Sequence, residues 1–305
     1  MSRDITIELT GLHLGNPVLL AAGILGSTGA SLKRAAASGA GAVVTKSIGT
    51  VPKPGHPNPT MAETACGFLN ALGLPNPSYR EFADELRVAK EGGVPVIASI
   101  FGADAREFRE VAEGLAGADA YELNLSCPHA EGYGAMVGTD PGLVEELTAA
   151  VKDCTRAPVW AKLTPNVTNI TGIGLAAQRG GADAVVAINT VRGMAIDIES
   201  GYPVLGNKFG GLSGPSIKPI AIKAVYDLYE ALDIPVIGVG GISSWQDAVE
   251  MIMAGAASVQ IGTAAGRDPE IFRKVASGII SYLDSNRWEL SDIRGLAHEV
   301  TYASD

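Results

Sequence analysis

Eight short apolar runs recur along the chain, at 18–21, 42–45, 95–100, 120–125, 158–163, 184–189, 234–239 and 258–261. Each is rich in β-branched or aliphatic residues and bounded by Gly, Pro, Ser or Asn, the pattern of strands buried on both faces. Segments with helical periodicity separate them, and strand–helix alternation predicts a parallel sheet. Eight such units are the number that closes a (β/α)8 barrel, so an α/β fold of the TIM-barrel kind is expected. A faint repeat supports the count. Gly39-Ala-Gly-Ala, Gly117-Ala-Asp-Ala, Gly181-Ala-Asp-Ala and Gly255-Ala-Ala-Ser each lead into an even-numbered run, placing a Gly where a helix ends and the chain turns into a strand. Ahead of the first run, 5–9 and 13–14 around Thr10-Gly11 read as an N-terminal β-hairpin closing the far end of the barrel.

The connections are not uniform. Those after the second, fourth and sixth runs, spanning 47–94, 126–157 and 190–233, are longer than the rest. Loops that follow barrel strands gather at the carboxyl-terminal face, where active sites are built, so the extra length predicts where chemistry occurs. No linker or composition shift divides the 305 residues, and a single barrel domain over 1–305 is expected.

Composition narrows the function classes. Hydrophobic residues make up 47% and charged residues 18%, which supports a packed core and excludes a disordered or fibrous chain. Against 33 acidic residues stand 23 basic ones, a net charge of −10 with no basic patch, which argues against nucleic acid or an anionic membrane as partner. The three cysteines, Cys66, Cys127 and Cys154, form no Cys-x-x-Cys pair and no zinc spacing, so no metal is expected and a reducing, cytoplasmic setting is. Three dispersed thiols also fall short of a four-cysteine iron–sulfur site. The N-terminus is too polar for a signal peptide and the apolar stretch 17–26 too short for a bilayer span, so a soluble protein is expected.

Several residues at the run ends carry chemistry. Lys46 and Lys162 each end an apolar run, where an ammonium is costly unless paired or serving an anion. Two at one rim of an acidic protein favour a bound anion over a structural ion pair; Schiff-base chemistry is the rival functional role. The seventh run continues into Gly238-Val-Gly240-Gly241-Ile-Ser243 and the eighth into Gly262-Thr263. Those two exits are the usual phosphate site of a barrel. The first string is not a dinucleotide fingerprint, because Ser replaces the third Gly and no ribose-binding carboxylate follows. Asn124-Leu-Ser-Cys127-Pro-His129 opens the fourth exit, and the Gly132, Gly134 and Gly138 that follow read as a mobile lid. Cys127, followed by Pro128, is a candidate proton-abstracting thiol, whereas Cys66 and Cys154 are expected as small core residues and His129 as a loop residue. Asn70, Asn124 and Asn189, with Thr190, stand at or beyond the exits of even runs, and their paired donors and acceptors suit a planar ring of alternating C=O and N–H groups.

Taken together, Asn70-Ala-Leu-Gly-Leu-Pro-Asn76, Asn124-Leu-Ser-Cys-Pro-His129, Ile188-Asn-Thr190, Gly210-Gly-Leu-Ser-Gly-Pro-Ser-Ile-Lys-Pro219, Val239-Gly-Gly-Ile242 and Ile261-Gly-Thr263 resemble the dihydroorotate dehydrogenases. The match runs in order from the Gly11 hairpin to Arg267. It is most similar to class 1, with a Cys base, and within it to class 1B through Gly193-Met-Ala-Ile-Asp197 and Phe209-Gly-Gly-Leu-Ser-Gly214. The resemblance implies FMN-dependent oxidation of dihydroorotate to orotate in pyrimidine biosynthesis. Cys127 would take the C5 proton as hydride leaves C6 for the flavin. Substrate would be held by Lys46, Asn70, Ala71, Leu72, Gly73, Leu74, Asn124, Asn189 and Thr190. FMN would be lined by Ala22, Lys46, Ser47, Ser99, Asn124, Lys162, Ile188, Gly214, Gly240, Gly241, Gly262 and Thr263. Class 1B further implies a homodimer of catalytic chains joined, as a heterotetramer, to an electron-transfer subunit carrying FAD and a 2Fe–2S cluster and serving NAD. Two residues depart from the family pattern: Ser99 stands where members commonly carry Asn, and His129 replaces the Asn of Cys-Pro-Asn, as in the related dihydropyrimidine dehydrogenases. The alternatives are a fumarate-linked class 1A activity, a dihydropyrimidine dehydrogenase, a Schiff-base lyase and a non-catalytic flavin- or phosphate-binding barrel.

Overall fold

The computed structural model describes residues 3–126 and 137–299. All eight apolar runs form strands, slightly trimmed at their ends. After the hairpin β1 (Ile7–Leu9) and β2 (Leu12–Leu14), the chain forms β3 (Val18–Leu20) and β4 (Ala42–Val44). The excursion β5 (Met61–Thr64) and β6 (Gly67–Asn70) precedes β7 (Val96–Ile100), β8 (Ala120–Asn124), β9 (Val159–Leu163) and β10 (Ala184–Ala187). A second excursion, β11 (Val191–Gly193) and β12 (Gly210–Ser213), is followed by β13 (Val236–Val239) and β14 (Ser258–Ile261). Strands β10, β13, β14, β3, β4, β7, β8 and β9 close a parallel barrel in that order, the (β/α)8 architecture expected.

Period-two alternation divides the barrel's side chains in two. Leu19, Ala42, Val44, Ile97, Ala120, Trp160, Ala184, Val186 and Ile237 fill the interior together with Leu9 and Leu14 of the hairpin. Their neighbours, among them Val18, Leu20, Val43, Val96, Tyr121, Val159 and Val185, pack outward against the helices. The hairpin stoppers the amino-terminal end, and Trp160 Nε1 donates to Thr10 Oγ1 at 3.0 Å.

The helices start where small polar residues cap them. Thr28, Asp104, Asp140, Asn169 and Ser244 accept from first-turn N–H groups of α1 (Gly29–Ala37), α3 (Ala105–Gly114), α4 (Pro141–Lys152), α5 (Ile170–Arg179) and α7 (Trp245–Met253). Tyr79–Lys90 (α2), Lys218–Ala231 (α6) and Ile271–Asn286 (α8) complete the ring. Gly39, Gly181 and Gly255 fall just past a helix with positive φ, as the repeat suggests. Gly117 does not, because α3 stops at Gly114 with Leu115 as its cap.

The long even-numbered connections are not simple loops. The connection after β4 and that after β10 pair into one antiparallel sheet, ordered β11-β12-β6-β5, with Gly211 opposite Asn70 and Ser213 opposite Phe68. The approach is close: a β-carbon on Gly67 would lie 1.9 Å from the Ser213 carbonyl oxygen. This hairpin also corrects the expectation for Cys66, which sits in the β5–β6 turn and is exposed rather than packed in the core. Cys154 is half-buried beyond α4.

Candidate active site

Near the carboxyl ends of the strands the interior changes character. Continuing the inward parity upward from Ile97, Ala120, Trp160 and Ser258 brings Ser99, Glu122, Lys162 and Gln260, all buried. These residues line the bottom of a cavity of about 790 Å³, within the range of small-molecule sites, whose sides include the β5–β6 and β11–β12 excursions.

The bottom is an ionic cluster. Glu122 Oε1 lies 3.1 Å from Lys162 Nζ, and Glu122 Oε2 accepts from Gln260 Nε2 at 2.7 Å. Lys162 therefore has the structural ion pair that the sequence left as the less favoured alternative, while still lining the cavity. Lys46 differs. Its ammonium is half-buried, has no ion-pair partner among the described residues, and burial pushes its pKa below the usual lysine value.

Above this bottom runs a chain of polar side chains. Ser99 Oγ and Ser47 Oγ are 2.9 Å apart, and Asn124 Nδ2 donates to Ser47 Oγ at 3.0 Å. Asn189 Nδ2 donates to Asn124 Oδ1 at 3.3 Å and to Ser126 Oγ at 2.9 Å. The Thr190 N–H is held by Asn189 Oδ1 at 2.8 Å. The ends of four strands, β4, β7, β8 and β10, are thus tied into one rim. Asn70 donates to the Gly211 carbonyl at 3.2 Å, and Ala71, Leu72, Gly73 and Leu74 continue along the wall, the last two in left-handed backbone.

The cavity is also lined by Ala22, Ile188, Gly214, Gly240, Gly241, Gly262 and Thr263. The backbone N–H groups of Gly240, Gly241, Gly262 and Thr263 donate to no other described residue. Gly241 has φ +77°, and a β-carbon there would come within 2.5 Å of Lys218 Cβ. Four open N–H donors in a glycine cradle have the chemistry of an oxyanion or phosphate site.

Every expected site residue that is described lines this one cavity. Cys127 and His129 lie outside the described residues, as do Gly132 and Gly134 of the expected lid; Ser126, the neighbour of Cys127 in the chain, is on the cavity wall. Gly138 belongs to a short 3-10 turn, Val137–Thr139. Sequence reasoning missed Glu122, Gln260 and Asn166. The first two are inward-parity polar residues two positions before Asn124 and Gly262, a signal that strand alternation carries. Asn166 joins two exits, donating to the Thr190 carbonyl at 3.2 Å and accepting from Arg192 N–H at 2.9 Å. Among the described residues, no group of three or more His, Cys, Asp or Glu could hold a metal ion, and no helix is long and apolar enough to cross a membrane.

A closed parallel barrel with a convergent polar cavity at its carboxyl-terminal face is the layout of a TIM-barrel enzyme. Comparison with known proteins narrows that class. A family profile described as dihydroorotate dehydrogenase matches residues 4–283. Three relatives bear the name dihydroorotate dehydrogenase B (NAD(+)), catalytic subunit. That of Methanocella arvoryzae is 65% identical over 97% of this chain and 98% of its own length. The protein of Methanosarcina mazei is 66% identical over 96% and 95%, and that of Pyrococcus horikoshii 53% identical over 98% and 100%. The chain belongs to the dihydroorotate dehydrogenase family.

Proposed function

We propose that this chain, working as one barrel domain, is the FMN-binding catalytic subunit of an NAD-linked dihydroorotate dehydrogenase. It oxidises dihydroorotate to orotate in the pyrimidine pathway. The observation that carries the reading is the pairing, in one cavity, of a half-buried Lys46 without an ion-pair partner among the described residues, the Asn124–Asn189 rim, and four N–H groups that donate to no other described residue. The donor set fits FMN. An anionic phosphate suits the N–H groups of Gly240, Gly241, Gly262 and Thr263, and the buried Gln260 Oε1, which has no partner among the described residues, needs a donor.

FMN, when bound, would supply the acceptor for the C6 hydride, which carries both electrons that the substrate loses. The chain's own residues do the rest. Lys46 places a positive charge for the substrate carboxylate, and Asn70, Asn124, Asn189 and Thr190 match the alternating C=O and N–H groups of the pyrimidine ring. Ala71, Leu72, Gly73 and Leu74 form the wall against which that ring rests. Ala22, Ser47, Ser99, Ile188 and Gly214 line the flavin side, with Lys162 toward the electron-rich pyrimidine edge. Cys127, next in the chain after the cavity-lining Ser126, removes the C5 proton; a thiol's ordinary pKa of ~8.5 brings that within reach at neutral pH. Ser99, where the family resemblance implies an Asn, is hydrogen-bonded to Ser47 at 2.9 Å.

Electrons reach NAD through a separate subunit with FAD and a 2Fe–2S cluster, because this chain offers no dinucleotide fingerprint and its three cysteines are dispersed. The catalytic chains pair as a homodimer within a heterotetramer. A reducing, cytoplasmic setting suits the free thiols of Cys66 and Cys154. The test is an anaerobic absorption spectrum of the purified chain. FMN bands that bleach with dihydroorotate and not with dihydrouracil are expected; a colourless protein, or flavin inert to dihydroorotate, overturns the reading.

A further inference from the structure

Glu122 has no part in the reading above, yet it is the most deeply buried charged residue among those described. Its carboxylate is fully buried in the barrel interior, and both oxygens are engaged, one by Lys162 Nζ at 3.1 Å and the other by Gln260 Nε2 at 2.7 Å. The arrangement spans three strands, β8, β9 and β14, and has two consequences.

The first concerns orientation. Because the Gln260 amide spends its NH2 on Glu122, its carbonyl oxygen must point elsewhere. Oε1 is buried without a partner among the described residues, on a side chain that lines the cavity. A buried acceptor left open costs stability unless a ligand donor fills it. The second concerns charge. The Lys162 ammonium adjoins the cavity not as a net positive charge but as one end of a neutralised pair, which weakens its pull on an electron-rich ligand.

We propose that Glu122 is a positioning residue that acts through both neighbours. It clamps Lys162 and damps its field, holding the potential of bound flavin low enough for electrons to move on, and it aims Gln260 Oε1 at a hydroxyl or ring N–H donor of the flavin. This inference rests on the functional reading above.

The test measures the FMN midpoint potential in the parent, Glu122→Gln and Glu122→Asp, and the FMN dissociation constant in the parent and Gln260→Met. Glu122→Gln keeps the shape and removes the charge. Reduced FMN should then bind at least tenfold tighter relative to oxidised FMN, a positive shift of about 30 mV for a two-electron couple, and Glu122→Asp should return most of it. Gln260→Met leaves the Glu122–Lys162 pair in place, and its FMN dissociation constant should rise about tenfold, while the flavin-free protein, having lost the Nε2 bond to Glu122, should melt somewhat lower. If Glu122→Gln fails to fold, Gln260→Met decides alone. An unchanged potential in a folded Glu122→Gln, or unchanged FMN affinity in Gln260→Met, overturns the inference while the functional reading stands. A parent that takes up no FMN overturns both.

Discussion

Replacing Lys46 with Met separates binding from stability, because the structure predicts opposite signs for the two. The ammonium is half-buried, unpaired among the described residues, and its pKa is held below 10.5 by burial. Between that lowered value and 10.5 the unfolded chain binds more protons than the folded one, so stability rises with pH across the window. Below it, the charged side chain is a net cost to the fold. Met removes that cost with little change of volume, so the thermal midpoint at pH 7 should hold or rise. Binding moves the other way. A carboxylate about 4 Å from an ammonium gains ~1 kcal/mol in water and ~4 kcal/mol at an effective dielectric of about 20. A half-exposed pair lies between, at roughly 2–3 kcal/mol, which is about a 30- to 150-fold loss of affinity. The assay is orotate titration followed by the flavin spectrum, beside a thermal melt in the absence of ligand. A variant that binds orotate as tightly as the parent, or melts several degrees lower, refutes the assignment of Lys46 to an anion.

Three further outcomes follow from the same structure. Cys127→Ala should keep its FMN and lose nearly all turnover at neutral pH, while Cys127→Ser should recover activity only as pH rises, as stopped-flow flavin reduction across pH will show. Gly241→Ala forces φ +77° on a β-carbon that meets Lys218 at 2.5 Å. A left-handed non-Gly residue costs roughly 1–2 kcal/mol before the clash is counted, so FMN retention on a desalting column should fall at least tenfold. Asp247 is pushed upward by burial, but hydrogen bonds from Lys218, Ser243 and Ser244 outweigh that and hold its pKa below 3.8. Its contribution is present above pH ~3.8 and lost as pH falls through the lowered value. Asp247→Asn should therefore melt below the parent at pH 7, and the gap should close in acid; a constant gap across pH contradicts the pairing.

The resemblance between expectation and structure is uneven for physical reasons. The runs at 18–21 and 234–239 announce themselves as strands because both faces of a parallel barrel are buried, and burial leaves a continuous apolar string. Gly240-Gly241 was legible because only glycine permits such close backbone, and Gly262-Thr263 and the other site residues at run ends were legible because barrel topology sends every run end to one face. Cys66 was misplaced because 61–70 lacks the apolar continuity of the barrel runs; its strands are stabilised by pairing with Gly210–Ser213, more than a hundred residues away. Glu122 was overlooked because a carboxylate inside the apolar string Ala120–Asn124 has no visible reason to be there until Lys162 and Gln260 are brought beside it.

By itself, then, the order of residues determined the eight strands, the capped helices between them and the chemical types collected at their exits, all consequences of local pattern. Only the tertiary structure decided which polar groups meet. Closing the barrel sets β8 beside β9 and carries Gln260 across the interior, turning Lys162 from a free cation into half of a pair. It leaves Lys46 without such a partner among the described residues, so that of two lysines alike in sequence position one is neutralised and the other keeps its charge for a ligand. Pairing across that distance depends on a register fixed by the whole sheet, and no local pattern encodes it.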